Sequence, residues 1–495
     1  MLATVRRLFG HMFVYGSGEI VLFTVNFLLF PVYTRVLEPA GYGALGLLLA
    51  LRAFLRPLNQ LGLDESFLRF HYDCETDAER EALTGTTLLI VGVAGAVVVL
   101  VLLLAAPFVS SLLGGPEHTG ALRLLAVNSF LTALLCVPHG LLRVRNQAAR
   151  FARWTVGGGL ATAALRLLFV VALGWGVFGI MLADVMVSAV LLAGLLPVAG
   201  HPAAWRGSRR LARDLLRYGM PRIPHTLLRQ TLGHADRFLL RLYLPVTDVG
   251  IYQSGATVAN TLSMYREAFR RAWMPLAFER MSDAHAPRLF ARLATVAFGV
   301  LVFATLGVTL FAGPLIRWLT PPEYHDAVHI APLLAAGVAI HALTVFLTTS
   351  LNIAKDLRAL PWATGAGACV TVAANVVLIP LLGMPGAALA TIAGSVTLVA
   401  ALAVAARRCY PIPYELGRLA RIAGAGAALY AASHLGPRDA SLVDVLLRAA
   451  LLAAFPVVLL AVGVLDRATI GQARRLLAPS RVPEPAGNRG RVPPV

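Results

Sequence analysis

Between Ala82 and Pro116 the chain has no charged residue, and between Ala359 and Ala406 it again has none. A helix needs about 20 apolar residues to cross a bilayer, and in lipid its backbone must satisfy its own hydrogen bonds. Runs of this length therefore read as membrane-spanning helices. The first run holds one span; the second holds two, divided at Gly383-Met384-Pro385-Gly386. Composition agrees: only 14% of the 495 residues are charged, against about 25% in soluble domains.

The same reading along the whole chain predicts an all-α integral membrane protein with about fourteen spans. They fall at 11–33, 41–63, 83–106, 119–141, 152–174, 177–199, 218–242, 248–274, 291–317, 328–353, 361–382, 386–406, 419–435 and 443–465. Net charge is +18, and Lys355 is the single lysine. The arginines concentrate in alternate loops, among them Arg143, Arg145, Arg150, Arg206, Arg209, Arg210, Arg213, Arg217, Arg407, Arg408 and Arg418. The opposite loops hold few: Arg35, Arg241, Arg317 and Arg438. Loops rich in arginine stay on the cytoplasmic side, which places both termini there. The acidic loop 64–82 departs from the pattern, but acidic residues weigh little in this rule. Because the positive charge is spent on orientation, nucleic acid is not an expected partner. Arg6 and Arg7 precede a long apolar segment without a small-residue cleavage site, so the first helix reads as retained. The four cysteines are scattered, with neither metal spacing nor a disulfide framework.

An internal repeat organises these spans. Trp154-Thr155-Val156-Gly157-Gly158-Gly159 is answered 208 positions later by Trp362-Ala363-Thr364-Gly365-Ala366-Gly367. Pro116-Glu117-His118 is answered by Pro322-Glu323-Tyr324 and Arg35 by Arg241, both at an offset of 206. The Gly174–Gly179 turn matches Gly383-Met384-Pro385-Gly386. Six spans per half means that both halves enter the membrane in the same sense, related by an axis along its normal. The expected organisation is a six-helix lobe (1–200), a basic linker (201–217) and a second six-helix lobe (218–407). Two added helices (408–466) and a basic, disordered tail (467–495) follow. Trp205–Tyr218 alternates arginine with leucine, which fits either an interfacial helix or a basic loop that fixes topology.

Ionisable residues inside the spans carry the functional signal. An arginine or aspartate at a helix centre costs roughly 2.5–3.5 kcal/mol on insertion scales. Such residues must face water, each other or a charged ligand. Arg52 and Arg56 share a face of span two, Arg222, His225 and Arg229 a face of span seven, and Arg266 and Arg270 a face of span eight. Converging between two lobes, these stripes would line a cavity for an anion, because the planar guanidinium fork binds two phosphate oxygens at once. The candidate substrate-binding residues are Arg52, Arg56, Arg229, Arg266 and Arg270. Arg222 either faces the cavity or reaches out to the cytoplasmic surface. Glu267 and Arg271 form an i,i+4 pair, Arg166 and Asp184 pair structurally, and Asp236 with Arg237 sits near the outer end of span seven as an interfacial pair. Glu19 is the candidate for coupling to H+ or Na+; a pairing role or an interfacial place is the alternative. No phosphate-binding glycine loop, metal-ligand spacing or nucleophile elbow occurs, so no catalytic residue, metal or cofactor is expected. Movement of a substrate is the function left.

Three segments resemble the polysaccharide-exporting (Wzx-type) flippases. They are Phe30-Pro31-Val32-Tyr33-Thr34-Arg35-Val36-Leu37-Glu38-Pro39-Ala40-Gly41-Tyr42-Gly43, Gly62-Leu63-Asp64-Glu65-Ser66-Phe67-Leu68-Arg69-Phe70, and Asp236-Arg237-Phe238-Leu239-Leu240 followed by Val249-Gly250-Ile251-Tyr252. The resemblance runs over roughly 10–465. It implies the fold of the multidrug/oligosaccharidyl-lipid/polysaccharide exporter superfamily, with two six-helix lobes opening alternately to either side. It implies an oligosaccharide on undecaprenyl pyrophosphate as substrate, flipped across the bacterial cytoplasmic (inner) membrane without enzymatic chemistry for surface polysaccharide such as lipopolysaccharide or exopolysaccharide, beside a polymerase machinery. The related lipid II flippases have fourteen spans, the last two flanking a lipid groove. A lipid II flippase, or a multidrug/cation antiporter of the same superfamily, is the alternative; an antiporter site should be acidic and aromatic.

Overall fold

The computed structural model describes residues 2–200, 207–283, 285–437 and 440–463, with side chains from Gly18 onward except that of Glu19. The expected tail at 467–495 and the first part of the basic linker lie outside the described residues. Those described form helices and no strand. In chain order they are α1 (Leu2–Val36), α2 (Pro39–Gln60), α3 (Leu63–His71), α4 (Asp77–Leu113), α5 (Thr119–Leu134), α6 (Cys136–Val144) and α7 (Ala148–Leu167). Next come α8 (Gly176–Leu195), α9 (Arg209–Gly219), α10 (Arg222–Tyr243), α11 (Val246–Ala259), α12 (Leu262–Arg280) and α13 (Ala286–Leu319). The last are α14 (Ala327–Ala342), α15 (Thr344–Ile353), α16 (Ala359–Leu382), α17 (Met384–Cys409), α18 (Leu416–Ala432) and α19 (Leu442–Ala461).

Among the described residues, ten segments are long and apolar enough to cross a membrane, counting α5 with α6 and α14 with α15 as single spans. The chain is a multi-pass membrane protein. The other four expected spans are helical as well. In α1 the stretch Ile20–Val36, where every side chain is described, is apolar. α10 carries Arg222, Arg229, Asp236, Arg237 and Arg241. Span eight is broken into α11 and α12 at Asn260 and Thr261. α18 has 17 residues and includes Arg418 and Arg421. The spans that miss the standard in the middle of the chain are those loaded with charge.

Packing sorts the helices into two groups. In the first, α1 packs on α7, α2 on α4 and α5, α5 on α8, and α7 on α8. In the second, α10 packs on α16, α11 on α14, α13 on α14, and α17 on α14, α15 and α16. α18 and α19 pack on each other and on α13. The repeat is visible in the backbone. The break between α5 and α6 at Leu135 recurs between α14 and α15 at Leu343, 208 residues on. The short 3-10 turn Pro116–His118 recurs at Pro322–Tyr324.

The groups touch where α2 crosses α11. A Cβ on Gly43 would lie 2.1 Å from the Val246 carbonyl oxygen, and one on Gly250 would lie 1.9 Å from that of Pro39. Only glycine allows this approach, and the two glycines are 207 residues apart, so the crossing is itself symmetric. At the arginine-rich end α9 packs on α3. Leu215 enters the apolar cluster of Leu63, Phe67 and Leu83, while Arg209, Arg210, Arg213 and Arg217 stay exposed. The Ser208 hydroxyl accepts from the Leu211 N–H and caps α9. Gly62, at φ 70°, meets Gly219: a Cβ on either would lie 2.5 Å from a carbonyl oxygen of the other's segment.

Candidate functional site

Two neighbouring cavities share part of their lining, and Gly62 borders the second of them. The upper one, about 470 Å³, sits inside the second group of helices and is lined by residues of α10, α11, α12, α14 and α17. Its polar lining comprises Arg229, Gln230, His234, Asp236, Arg237, Asn260, Ser263, Arg266, His341, Thr391 and Ser395. The lower one, about 250 Å³, lies between the groups at the arginine-rich end. Arg56, Gln60, Asp64, Glu65, Arg222, Thr226, Arg229 and Gln230 line it. Arg229 and Gln230 line both cavities.

The break after α11 helps to shape the upper cavity. α11 ends at Ala259, and Asn260 and Ser263, at the break and just beyond it, line the space. Arg266 follows on α12, one turn from Ser263. On α10, Arg222, Thr226 and Arg229 follow three- and four-residue steps and so share one face, turned toward the lower cavity.

Partners divide the arginines into two sets. Arg52 Nη1 lies 3.0 Å from Asp184 Oδ2, and Arg166 Nη2 lies 2.6 Å from Asp184 Oδ1. Arg237 is held 2.9 Å from Asp236, Arg222 pairs with Glu65, and Arg270 and Arg271 share Glu267 at 2.6 and 2.9 Å. Among the described residues Arg56, Arg229 and Arg266 have no carboxylate partner; Arg56 donates to Gln60 Oε1 at 3.3 Å. These three line the cavities and form no ion pair among the described residues. A cation held there without its own anion is costly in a medium poorer than water, and a bound anion relieves that cost.

The five candidate arginines therefore separate. Arg56, Arg229 and Arg266 line the cavities. Arg52 does not: although it is one turn from Arg56, its guanidinium turns into the first group of helices to meet Asp184 and Arg166. Arg270 does not either, because Glu267, three residues back on α12, takes its guanidinium at two points. The Arg166–Asp184 and Glu267–Arg271 pairs occur as expected. Asp236 and Arg237 pair with each other inside the protein. Both are buried at 5% and 6% exposure and line the upper cavity. Asp236 accepts from the hydroxyl of fully buried Tyr252 at 2.6 Å and from the Arg237 N–H at 2.9 Å. Arg237 also donates to Gln253 at 2.7 Å. Glu19 falls in α1, and its side chain lies outside the described residues.

Sequence reasoning passed over His234, Asn260, Ser263 and His341, which line the upper cavity. His341 carried a signal, as a histidine within an otherwise apolar span; Asn260 carried one only through the helix break. Chemically, the arrangement offers guanidinium forks and neutral donors to an anion. Among the described residues no group of three or more histidine, cysteine or acidic side chains forms a metal site.

Comparison with known proteins adds three findings. A family model described as "Polysaccharide biosynthesis protein" matches residues 32–329. Curated proteins give no significant match. Solved structures match at low identity over nearly whole chains. The lipid II flippase MurJ in an inward closed conformation aligns at a TM-score of 0.72 and 11% identity, covering 90% of this chain and 97% of that one. An inward-facing multidrug resistance MATE family transporter of the MOP superfamily aligns at 0.63 and 15%, covering 81% and 94%. A MOP superfamily transporter from Pyrococcus furiosus, described as having a binding pocket of reverse polarity, aligns at 0.54 and 16%, covering 84% and 96%. At these identities what is shared is the fold.

Proposed function

From the premise that the chain belongs to the polysaccharide biosynthesis protein family, we propose that it is a flippase for lipid-linked oligosaccharide. The substrate is an oligosaccharide on undecaprenyl pyrophosphate, moved across the bacterial cytoplasmic membrane by alternating access, with the arginine-rich end and both termini in the cytoplasm. One observation carries this reading: Arg56, Arg229 and Arg266 line two neighbouring cavities and none of them forms an ion pair with a carboxylate among the described residues. A diphosphate diester brings two negative charges and several oxygens at the spacing of guanidinium forks. Asn260, Ser263 and Gln230 supply neutral hydrogen-bonding groups suited to sugar hydroxyls.

The isoprenoid chain stays on the lipid side. Supporting that are two apolar clefts beside α18. One, of about 420 Å³, is lined by Phe298, Phe346, Leu347, Val399 and Leu419, with Arg407 also on its wall. The other, of about 260 Å³, is lined by Val300, Phe303, Ile422 and Leu459. A cation antiporter should have an acidic site; here the acid of the upper cavity, Asp236, is held by Arg237 and Tyr252, and arginines outnumber acids in the lining of each cavity. Coupling to H+ or Na+ through Glu19 completes the proposal; Glu19→Gln should then remove any dependence of transport on the ion gradient.

The test is export in cells. Arg229→Gln combined with Arg266→Gln should abolish surface polysaccharide while the protein accumulates in the membrane at its usual level. Normal export by that variant would sink the cavity reading.

A further inference from the structure

The Arg222–Glu65 pair has an unusual position. Glu65 belongs to the first turn of α3 and Arg222 to the first turn of α10, so the pair bridges the two groups of helices. It lies beside the Gly62–Gly219 contact, which closes the same end by backbone alone. Both side chains line the lower cavity, together with Arg56 and with Arg229, the residue that leads into the upper cavity. Both are also about half exposed. A half-exposed ion pair is weak, because water competes with each partner. Glu65 is thus a tethered carboxylate occupying a guanidinium at the mouth of an anion-binding cavity.

We propose that Arg222, with Arg56, forms an entrance site for the substrate's phosphate, and that Glu65 is the internal anion that occupies Arg222 while the cavity is empty. This rests on the anion-cavity reading above and adds to it a first station. An arriving diphosphate exchanges with the Glu65 carboxylate on Arg222. No covalent bond changes; one anion replaces another on the same guanidinium. The exchange removes an ion pair that bridges α3 and α10, so that the Gly62–Gly219 approach and the apolar packing around it must hold that end shut. Arg229, seven residues along the same face of α10, then receives the phosphate for the upper cavity.

A double-substitution cycle tests this on the detergent-solubilised full chain, titrated calorimetrically with inorganic diphosphate. Glu65→Gln should tighten diphosphate binding by about three- to tenfold, the range expected from freeing one half-exposed pair. Arg222→Gln should weaken it by at least a similar factor. Glu65→Gln in the Arg222→Gln background should bring no gain. Hydrogen exchange of the segment around Gly62 should rise when diphosphate is added to the unmodified protein, and should already be high in Glu65→Gln. Two outcomes overturn the inference alone: diphosphate binding that Glu65→Gln leaves unchanged, or a gain that persists without Arg222. Failure of the unmodified protein to bind diphosphate overturns the anion-cavity reading and this inference with it.

Discussion

At matching positions of the two repeats, the first half has Arg52, Arg166 and Asp184, and the second has Ala259, Ala374 and Thr391. In the reverse direction, Arg229 and Arg266 of the second half answer to Leu22 and Asn59 of the first. Asn59 is fully buried and donates to Ser129 at 3.0 Å. At these positions the first lobe holds an internal clamp, two guanidinium groups on one carboxylate. The other removes that clamp, breaks a helix at Asn260, and leaves arginines facing open space. Each lobe has arginines that hold and arginines that face a cavity: Arg52 and Arg166 against Arg56 in the first, Arg237 against Arg229 and Arg266 in the second. What separates the roles is whether a carboxylate is within reach.

Four sets of substitutions test that division, in descending order of effect. Arg229→Gln with Arg266→Gln should reduce diphosphate affinity by about 1.5–3 kcal/mol for each charge-assisted hydrogen bond removed, with no fall in melting temperature, since neither arginine holds a protein carboxylate. A large fall in melting temperature would make them structural and erase the contrast. Asp184→Ala should cost about 3–5 kcal/mol of stability by leaving Arg52 and Arg166 without their anion, whereas Thr391→Ala at the matching position should stay within about 1 kcal/mol. Thermal melting in detergent measures both, and equal values would break the comparison. Gly43→Ala and Gly250→Ala should each cost about 1–3 kcal/mol through overpacking at the α2–α11 crossing. Their effects on the same melting curves should be alike, because at this crossing the lobes remain equivalent. Thr391→Asp restores to the second lobe the acid of the first. Calorimetry should show diphosphate binding weakened about tenfold, or ~1.4 kcal/mol, because the cavity arginines gain a tethered counter-charge.

Much of the fold was legible in residue patterns. Uncharged runs such as Ala82–Pro116 allow nothing but a spanning helix, and the recurrence of Trp154 at Trp362 carries over to the helix breaks at Leu135 and Leu343. The site was legible in part. The cost of burying arginine singled out spans two, seven and eight, and three of the five chosen arginines line the cavities. Arg270 was misplaced although Glu267, three residues away, was in plain view as its partner. Arg52 was misplaced for a different reason: its partner is 132 residues distant.

Chain composition and spacing by themselves determined that this is a duplicated bundle of membrane helices with basic groups where lipid excludes them. That follows from transfer cost and helical periodicity, which are local properties. Tertiary structure alone decided which guanidinium groups are neutralised and which stay open to an anion. Pairing depends on distances of about 3 Å between residues far apart in sequence, and no local pattern records those distances.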